Sequence, residues 1–196
     1  MSYDIYLTER VSGETIKLPI KHVMTGGTFC ANYNTKTGTF TPATIEDAWL
    51  NITYNYSRYY YVATENDDRF YGEKDYGDRE YGNLGIRGLY GKTGLESIAM
   101  LNDMISSIES KYKKDGEWIN SRRRTNISKD KHGKECHPVE LLLHHEEKYT
   151  EEQVEMDVYE GPNEDYWIGT AANALKPLYQ LKVYAELRPD GIWTGD

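Results

Sequence analysis

Cysteine is nearly absent. Cys30 and Cys136 are the only two in 196 residues and lie far apart, so no disulfide framework organises the chain, and two isolated thiols read as free cysteines of a reducing compartment. Phenylalanine occurs only three times, and no apolar run approaches the roughly 20 residues of a membrane span. The start, Met1-Ser2-Tyr3-Asp4, has neither a basic n-region nor an apolar h-region. The expected place is therefore the cytoplasm, with no membrane partner. The sequons at Asn51, Asn55 and Asn126 carry no glycosylation meaning there. Positive charge is in deficit, with 23 Lys and Arg against 32 Asp and Glu, a formal net charge of −9. That argues against a nucleic-acid or anionic-membrane surface, which needs clustered cations, and permits docking on a basic protein groove.

Tyrosine is plentiful, at 18 residues. It fills space but keeps a polar tip, so much of this core reaches a surface, an interface or a site. Trp49-Leu50-Asn51-Ile52-Thr53-Tyr54-Asn55-Tyr56-Ser57 alternates with period two and predicts a half-buried strand that continues into Tyr59-Tyr60-Tyr61. Its second face, Asn51, Thr53, Asn55 and Ser57, is uncharged and built from amides and hydroxyls. Such a row suits a ligand or another backbone; it is equally the wet side of an antiparallel strand. Upstream, Tyr3 to Leu7 and Thr15 to Leu18 around Gly13 predict a hairpin, with Pro19 ending the return strand or at an edge. Thr44-Ile45-Glu46-Asp47 predicts a short helical turn.

Thr93-Gly94-Leu95-Glu96 is a capping box, and Ile98, Leu101, Ile105, Ile108 and Tyr112 follow at helical spacing. The pattern predicts a helix over 94–112, stopped by Lys113-Lys114-Asp115-Gly116. Thr170 caps a second helix with a stripe of Leu175, Leu178, Leu181 and Ala185, and Pro177 inside it predicts a kink. Ile192 to Asp196 is read as trailing off. The expected fold is α+β: a small antiparallel sheet, from the N-terminal hairpin and the strand near 50–61, packed against two main helices at about 94–112 and 171–187. A single domain over 1–196 is expected, with variable segments at about 62–84 and 113–164.

Several motifs are weighed and set aside. The acidic stretch from Glu65 to Asn83 lacks the ligand spacing of a calcium loop. Arg122-Arg123-Arg124 with Lys129, Lys131 and Lys134 reads as a solvated loop, short of the aromatic partners of a single-strand binder. Cys136, His137, His144 and His145 do not keep zinc-ligand spacing. Glu155 to Tyr159 reads as an edge strand.

The chain also resembles an uncharacterised family of small proteins of tailed bacteriophages and prophages. The likeness rests on Ser2 to Leu7, Gly26-Gly27-Thr28, Asn51 to Ser57, Gly85-Ile86-Arg87-Gly88-Leu89-Tyr90-Gly91-Lys92-Thr93-Gly94, Asp165-Tyr166-Trp167 through Ala174, and Pro189 to Asp196. It implies an accessory viral protein in the bacterial host cytoplasm and no particular reaction.

Three functions are expected in turn. The first is a non-enzymatic ligand-binding module, with a small molecule or an anti-defence nucleotide held by Asn51, Thr53, Asn55, Ser57, Tyr54, Gly26, Gly27, His22, Tyr166, Trp167, Thr170 and Asn173. The nucleotide rests on analogy with other phage accessory proteins. The second is an acidic inhibitor that docks on a host protein such as a CRISPR effector through loops 65–83 and 146–165. The third is a small enzyme with His22, paired with Asp4 or Asp196, as acid or base; no nucleophile set accompanies it. No cofactor or metal is expected, and self-association is left open.

Overall fold

The computed structural model describes residues 2–23, 31–42, 44–73, 81–130, 132–136 and 150–196. Among the described residues no helix is long and apolar enough to cross a membrane. The fold is α+β. Its centre is an antiparallel sheet in the order β14-β1-β6, formed by β1 (Ser2–Thr8), β6 (Trp49–Thr53) and β14 (Ile192–Gly195). Tyr3, Ile5 and Leu7 of β1, Leu50 and Ile52 of β6 and Trp193 of β14 all point to one face and are buried. That face packs into a core with three helices: α1 (Ser57–Thr64), α2 (Gly94–Tyr112) and α3 (Ala171–Leu187). The two long helices fall where their periodicity put them, and Pro177 is buried inside α3.

The remaining strands form two-stranded pieces around this centre, apart from one three-stranded sheet. β2 (Lys17–His22) pairs with β5 (Ile45–Asp47), β3 (Ala31–Asn34) with β4 (Thr39–Pro42), β7 (Tyr71–Glu73) with β8 (Tyr81–Asn83), and β9 (Lys113–Lys114) with β10 (Glu117–Trp118). β11 (Asn120–Lys129) lies between β12 (Glu135–Cys136) and β13 (Thr150–Tyr159). The predicted hairpin survives as a turn at Gly13 and a single bridge, Thr8 to Thr15. β2 then leaves β1 for β5, which is a strand and not the expected helical turn.

Three other expectations are corrected. The strand from Trp49 does not run to Tyr61. The Thr53 hydroxyl accepts from the Asn55 amide, opening a 3-10 turn over Tyr54–Tyr56 that leads into α1. Tyr56, Tyr59 and Tyr60 are all fully buried, and spacings of three and four bury one face of a helix, whereas a strand would split them between faces. The C-terminal stretch does not trail off. It is an edge strand whose Trp193 is fully buried and donates to Ser97 Oγ at 2.7 Å. Arg122 to Lys129 is no loop: it pairs along its whole length with β13, as a ribbon about 33 Å long. Arg122 and Arg124 reach Asp157 and Glu155 across it at 3.8 and 3.3 Å. The four basic side chains of β11 therefore face acids and do not form a free cationic patch.

The start of α2 is tied to the last strand. The Gly94 amide donates to the Gly191 carbonyl, Leu95 to Pro189, and the Trp193 amide to Lys92. This approach requires glycine: a Cβ on Gly94 would sit 2.5 Å from the Arg188 oxygen and 3.0 Å from Pro189 Cα. Gly→Ala within a helix ordinarily stabilises by up to about 1 kcal/mol. Gly94→Ala is expected to reverse that sign and destabilise by about 1–3 kcal/mol. Urea unfolding of the two proteins at neutral pH measures the difference.

Candidate functional site

The residues singled out in the sequence fall into three places. Asn55, Tyr166, Trp167, Thr170 and Asn173 come together, as expected, around the start of α3. Their polar groups bond one another. Asn55 Nδ2 donates to the Trp167 carbonyl at 2.6 Å, and the Tyr56 hydroxyl to the Tyr166 carbonyl at 2.5 Å. Asn173 Nδ2 reaches the carbonyls of Asp165 and Ile168, while Thr170 Oγ1 accepts the Asn173 amide. Gly169 packs so closely that a Cβ there would lie 2.5 Å from the Asn55 oxygen. These groups are consumed in holding the 163–170 loop on α1 and α3. Thr53 and Ser57 likewise serve locally: Thr53 caps the 3-10 turn, and Ser57 Oγ donates to the Tyr54 carbonyl and bonds the Tyr3 hydroxyl. Gly26 and Gly27 lie outside the described residues, as do His137, His144 and His145. Among the described residues no group of His, Cys, Asp and Glu could hold a metal ion.

His22 sits elsewhere, between β2 and α3. Its Nε2 lies 2.7 Å from the Asp47 carbonyl, which can only accept, so Nε2 carries the hydrogen. Its Nδ1 then accepts from Tyr184 and Gln180, at 2.8 and 2.9 Å. Nε2 thus ties β2 to β5, and Nδ1 ties it to α3.

A buried centre that no sequence pattern flagged lies at the base of the ribbon. Glu160, the residue after β13, is fully buried. Its carboxylate takes Arg123 Nη2 at 2.7 Å, Arg58 Nη2 at 2.9 Å and the Ala171 amide at 2.9 Å, together with the hydroxyls of Ser121 and Tyr59. The Tyr59 hydroxyl also reaches the Gly169 carbonyl at 2.7 Å. The first amide of α3 thus meets a carboxylate, and the second the Glu160 main-chain carbonyl, as the helix dipole favours. Burial alone would push the Glu160 carboxyl up; the bonds from Arg123, Ser121, Tyr59 and Ala171 outweigh it and hold its pKa below the usual value. This centre is closed to solvent at its carboxylate and joins four elements. Its geometry is that of a structural joint.

The other face of the central sheet carries a half-buried aromatic pair. Tyr6 and Trp49, opposite one another on β1 and β6, stack with ring centroids 5.9 Å apart and planes 5° from parallel. Asp4 lies beside them. Its carboxylate accepts from Trp49 Nε1 and Asn51 Nδ2, both at 2.9 Å, and Asn51 also donates to Ser2. Asn51, which with Thr53 stays in the strand, therefore fixes a carboxylate on the outer face. The side chain of Asp196 accepts the Asp4 amide at 3.0 Å. Asp4 forms no ion pair among the described residues, and its donors are neutral. The Tyr6 hydroxyl registers this field: burial and the charges of Asp4 and Asp196 all raise its pKa. At the far end Arg87 bonds the Asp196 main-chain oxygen at 2.9 Å and Tyr54 at 2.8 Å, and lies over the Tyr3 ring.

A second concavity, a groove of about 380 Å³ between α1 and α2, is lined by Val62, Ala63, Glu65, Asp67, Asp103 and Lys111 among others. Arg69 already bridges its Asp67 and Asp103, so its carboxylates are largely answered from within.

No protein-family model matches the chain, and no characterised protein or solved structure shows a similar one.

Glu160 generates a test. Glu160→Gln removes the counter-charge of two partly buried guanidinium groups and should cost about 3–5 kcal/mol at pH 7. Because the folded pKa is lowered, the wild-type contribution is complete above the unfolded value of about 4.3 and fades as pH falls through the folded one. The gap between wild type and Glu160→Gln, followed by urea unfolding from pH 7 to pH 3, should therefore narrow on acidification.

Proposed function

We propose that the protein is a non-enzymatic protein-binding module that docks a basic segment of its partner on the outer face of the β14-β1-β6 sheet. One observation carries this reading. The outer face of the sheet presents a half-buried Tyr–Trp stack beside a carboxylate that no cation among the described residues pairs with. Antiparallel sheets often leave one face to water, but that face is then usually polar throughout. Aromatic pairs at such a place supply large, rigid contact area, and tyrosine and tryptophan dominate binding energy where proteins meet. A fixed carboxylate in a chain of net charge −9 draws a Lys- or Arg-bearing partner and repels an acidic one. The stem of such a side chain covers the rings while its head meets Asp4.

The resemblance to tailed-phage and prophage proteins supports a host protein as that partner and the bacterial cytoplasm as the place of encounter. The docking surface differs from the acidic loops that composition suggested, because on β13 the acids answer the arginines of β11.

Asp4→Asn separates charge from shape. The amide oxygen still accepts from Trp49 and Asn51, so the stack should persist while the field is lost. A panel of labelled Lys- and Arg-rich peptides, followed by fluorescence anisotropy, should include members that bind wild type in a salt-sensitive manner. Asp4→Asn and Tyr6→Ala should each weaken them roughly ten-fold, equivalent to about 1.4 kcal/mol, with thermal melts close to wild type. Binding that both variants retain in full, or a panel with no binder, would overturn the proposal.

A further inference from the structure

The two guanidinium groups at the base of the ribbon are not used up by Glu160. Arg58 and Arg123 each reach its carboxylate through Nη2 alone, at 2.9 and 2.7 Å, and the same two nitrogens meet the Tyr59 hydroxyl. Both fall on one carboxylate oxygen, Glu160 Oε1, so the two groups lie side by side. A guanidinium carries five N–H donors. Among the described residues neither side chain makes a further hydrogen bond, and the Nε of each is buried without an acceptor. Buried polar groups are ordinarily paired, so an orphaned donor on each arginine sets this place apart.

Charge is out of balance at the same point. Among the described residues Glu160 is the only acid that either arginine pairs with. One positive charge is therefore left over, in a chain whose net charge is −9. The Glu160 side chain is fully buried, while those of Arg58 and Arg123 are 39 and 17% exposed. The carboxylate lies inward, and the surplus is within reach of solvent.

A third donor stands beside them. Tyr112, the last residue of α2, packs edge-on against the Tyr59 ring, with centroids 5.4 Å apart. It is half-buried, and its hydroxyl forms no hydrogen bond among the described residues. Burial raises its pKa, and the charges of Arg58 and Arg123 pull it back down, so the phenol lies in the field of both. Two acids act there too: Glu160, and Glu65, the weakest of the four charges, which pairs with neither arginine.

We infer that Arg58, Arg123 and Tyr112 form an oxyanion site at the base of the ribbon, and that it takes a small carboxylate. The charge count selects the class. One negative charge balances the pair, whereas a phosphate dianion beside Glu160 overshoots it. The donors select the shape, because guanidinium forks match a flat, two-oxygen acceptor better than a spherical halide. The carboxylate draws on the remaining N–H groups of both arginines and on the Tyr112 hydroxyl, and Glu160 keeps its own partners.

Titration of the labelled full chain with sodium acetate, against sodium chloride at the same ionic strength, tests this through the arginine Nε–H resonances and the thermal midpoint. Acetate should move the Arg58 and Arg123 signals along a saturable curve in the millimolar range. It should also raise the midpoint above that in chloride, and phosphate at pH 7 should act more weakly than acetate. Tyr112→Phe keeps the ring against Tyr59 and removes only the hydroxyl. It should weaken acetate roughly ten-fold, as the loss of a hydrogen bond to a charged group does, with a midpoint in chloride close to that of wild type. Arg58→Gln balances the charge within the chain and should abolish the response. Acetate that acts no differently from chloride, a response that both variants retain in full, or tighter binding of phosphate than of acetate would refute the inference.

Discussion

One buried carboxylate holds the architecture to its appendage. Glu160 collects two guanidinium groups, two hydroxyls and a helix-terminal amide. Its donors come from α1, β11 and α3. Over most of its length the β11–β13 ribbon is two-stranded, and such a ribbon is marginal in water by itself. Its cross-strand ion pairs are exposed and contribute little each. Anchoring at Glu160 gives the ribbon one strong attachment, and gives α3 a negative charge at its positive end. The carboxylate has no spare geometry with which to do anything else.

The sheet shows how a small change of register in local structure relocates function. Thr53 and the three buried tyrosines turn the chain out of the strand after five residues. The polar row is thereby split: Asn51 and Thr53 stay on the sheet, while Asn55 and Ser57 leave it. What stays half-buried on the outer face is the pair that the strand presents first, Trp49 beside Tyr6, with Asp4 positioned by the Trp49 indole and by Asn51. Shape and charge there arise from ordinary strand alternation applied to β1 and β6 together, so the proposed docking face and the core are two sides of one pattern.

The two long helices were legible because each has a cap and an unbroken apolar stripe: Thr93 with Glu96, and Thr170 ahead of Leu175, Leu178 and Leu181. The convergence of Asn55, Tyr166, Trp167 and Asn173 was legible too. Their mutual satisfaction was not, since spacing reveals which groups are polar but not which meet. The helix at Ser57 was hidden by its own composition: consecutive tyrosines favour strands, and only burial at spacings of three and four shows the helical face. Glu160 carried no signal at all, because its donors lie up to 102 residues away in sequence. The outer face was concealed for a related reason. Tyr6 and Trp49 are neighbours only through a strand pairing that brings residue 6 to residue 49, and each looks like core when read alone.

The chain has four tryptophans, and their indole N–H groups report from separate places. Trp49 donates to Asp4 on the outer sheet face, Trp193 to Ser97 in the core, while Trp118 and Trp167 lie at the ribbon base and the 163–170 loop. Titration of the labelled protein with a Lys-rich peptide, followed by the nitrogen–proton spectrum of these four indoles, tests the docking claim directly. The account predicts that the Trp49 resonance moves progressively while that of Trp193 stays fixed. A Trp49 signal that does not move while Trp118 or Trp167 shifts would contradict it.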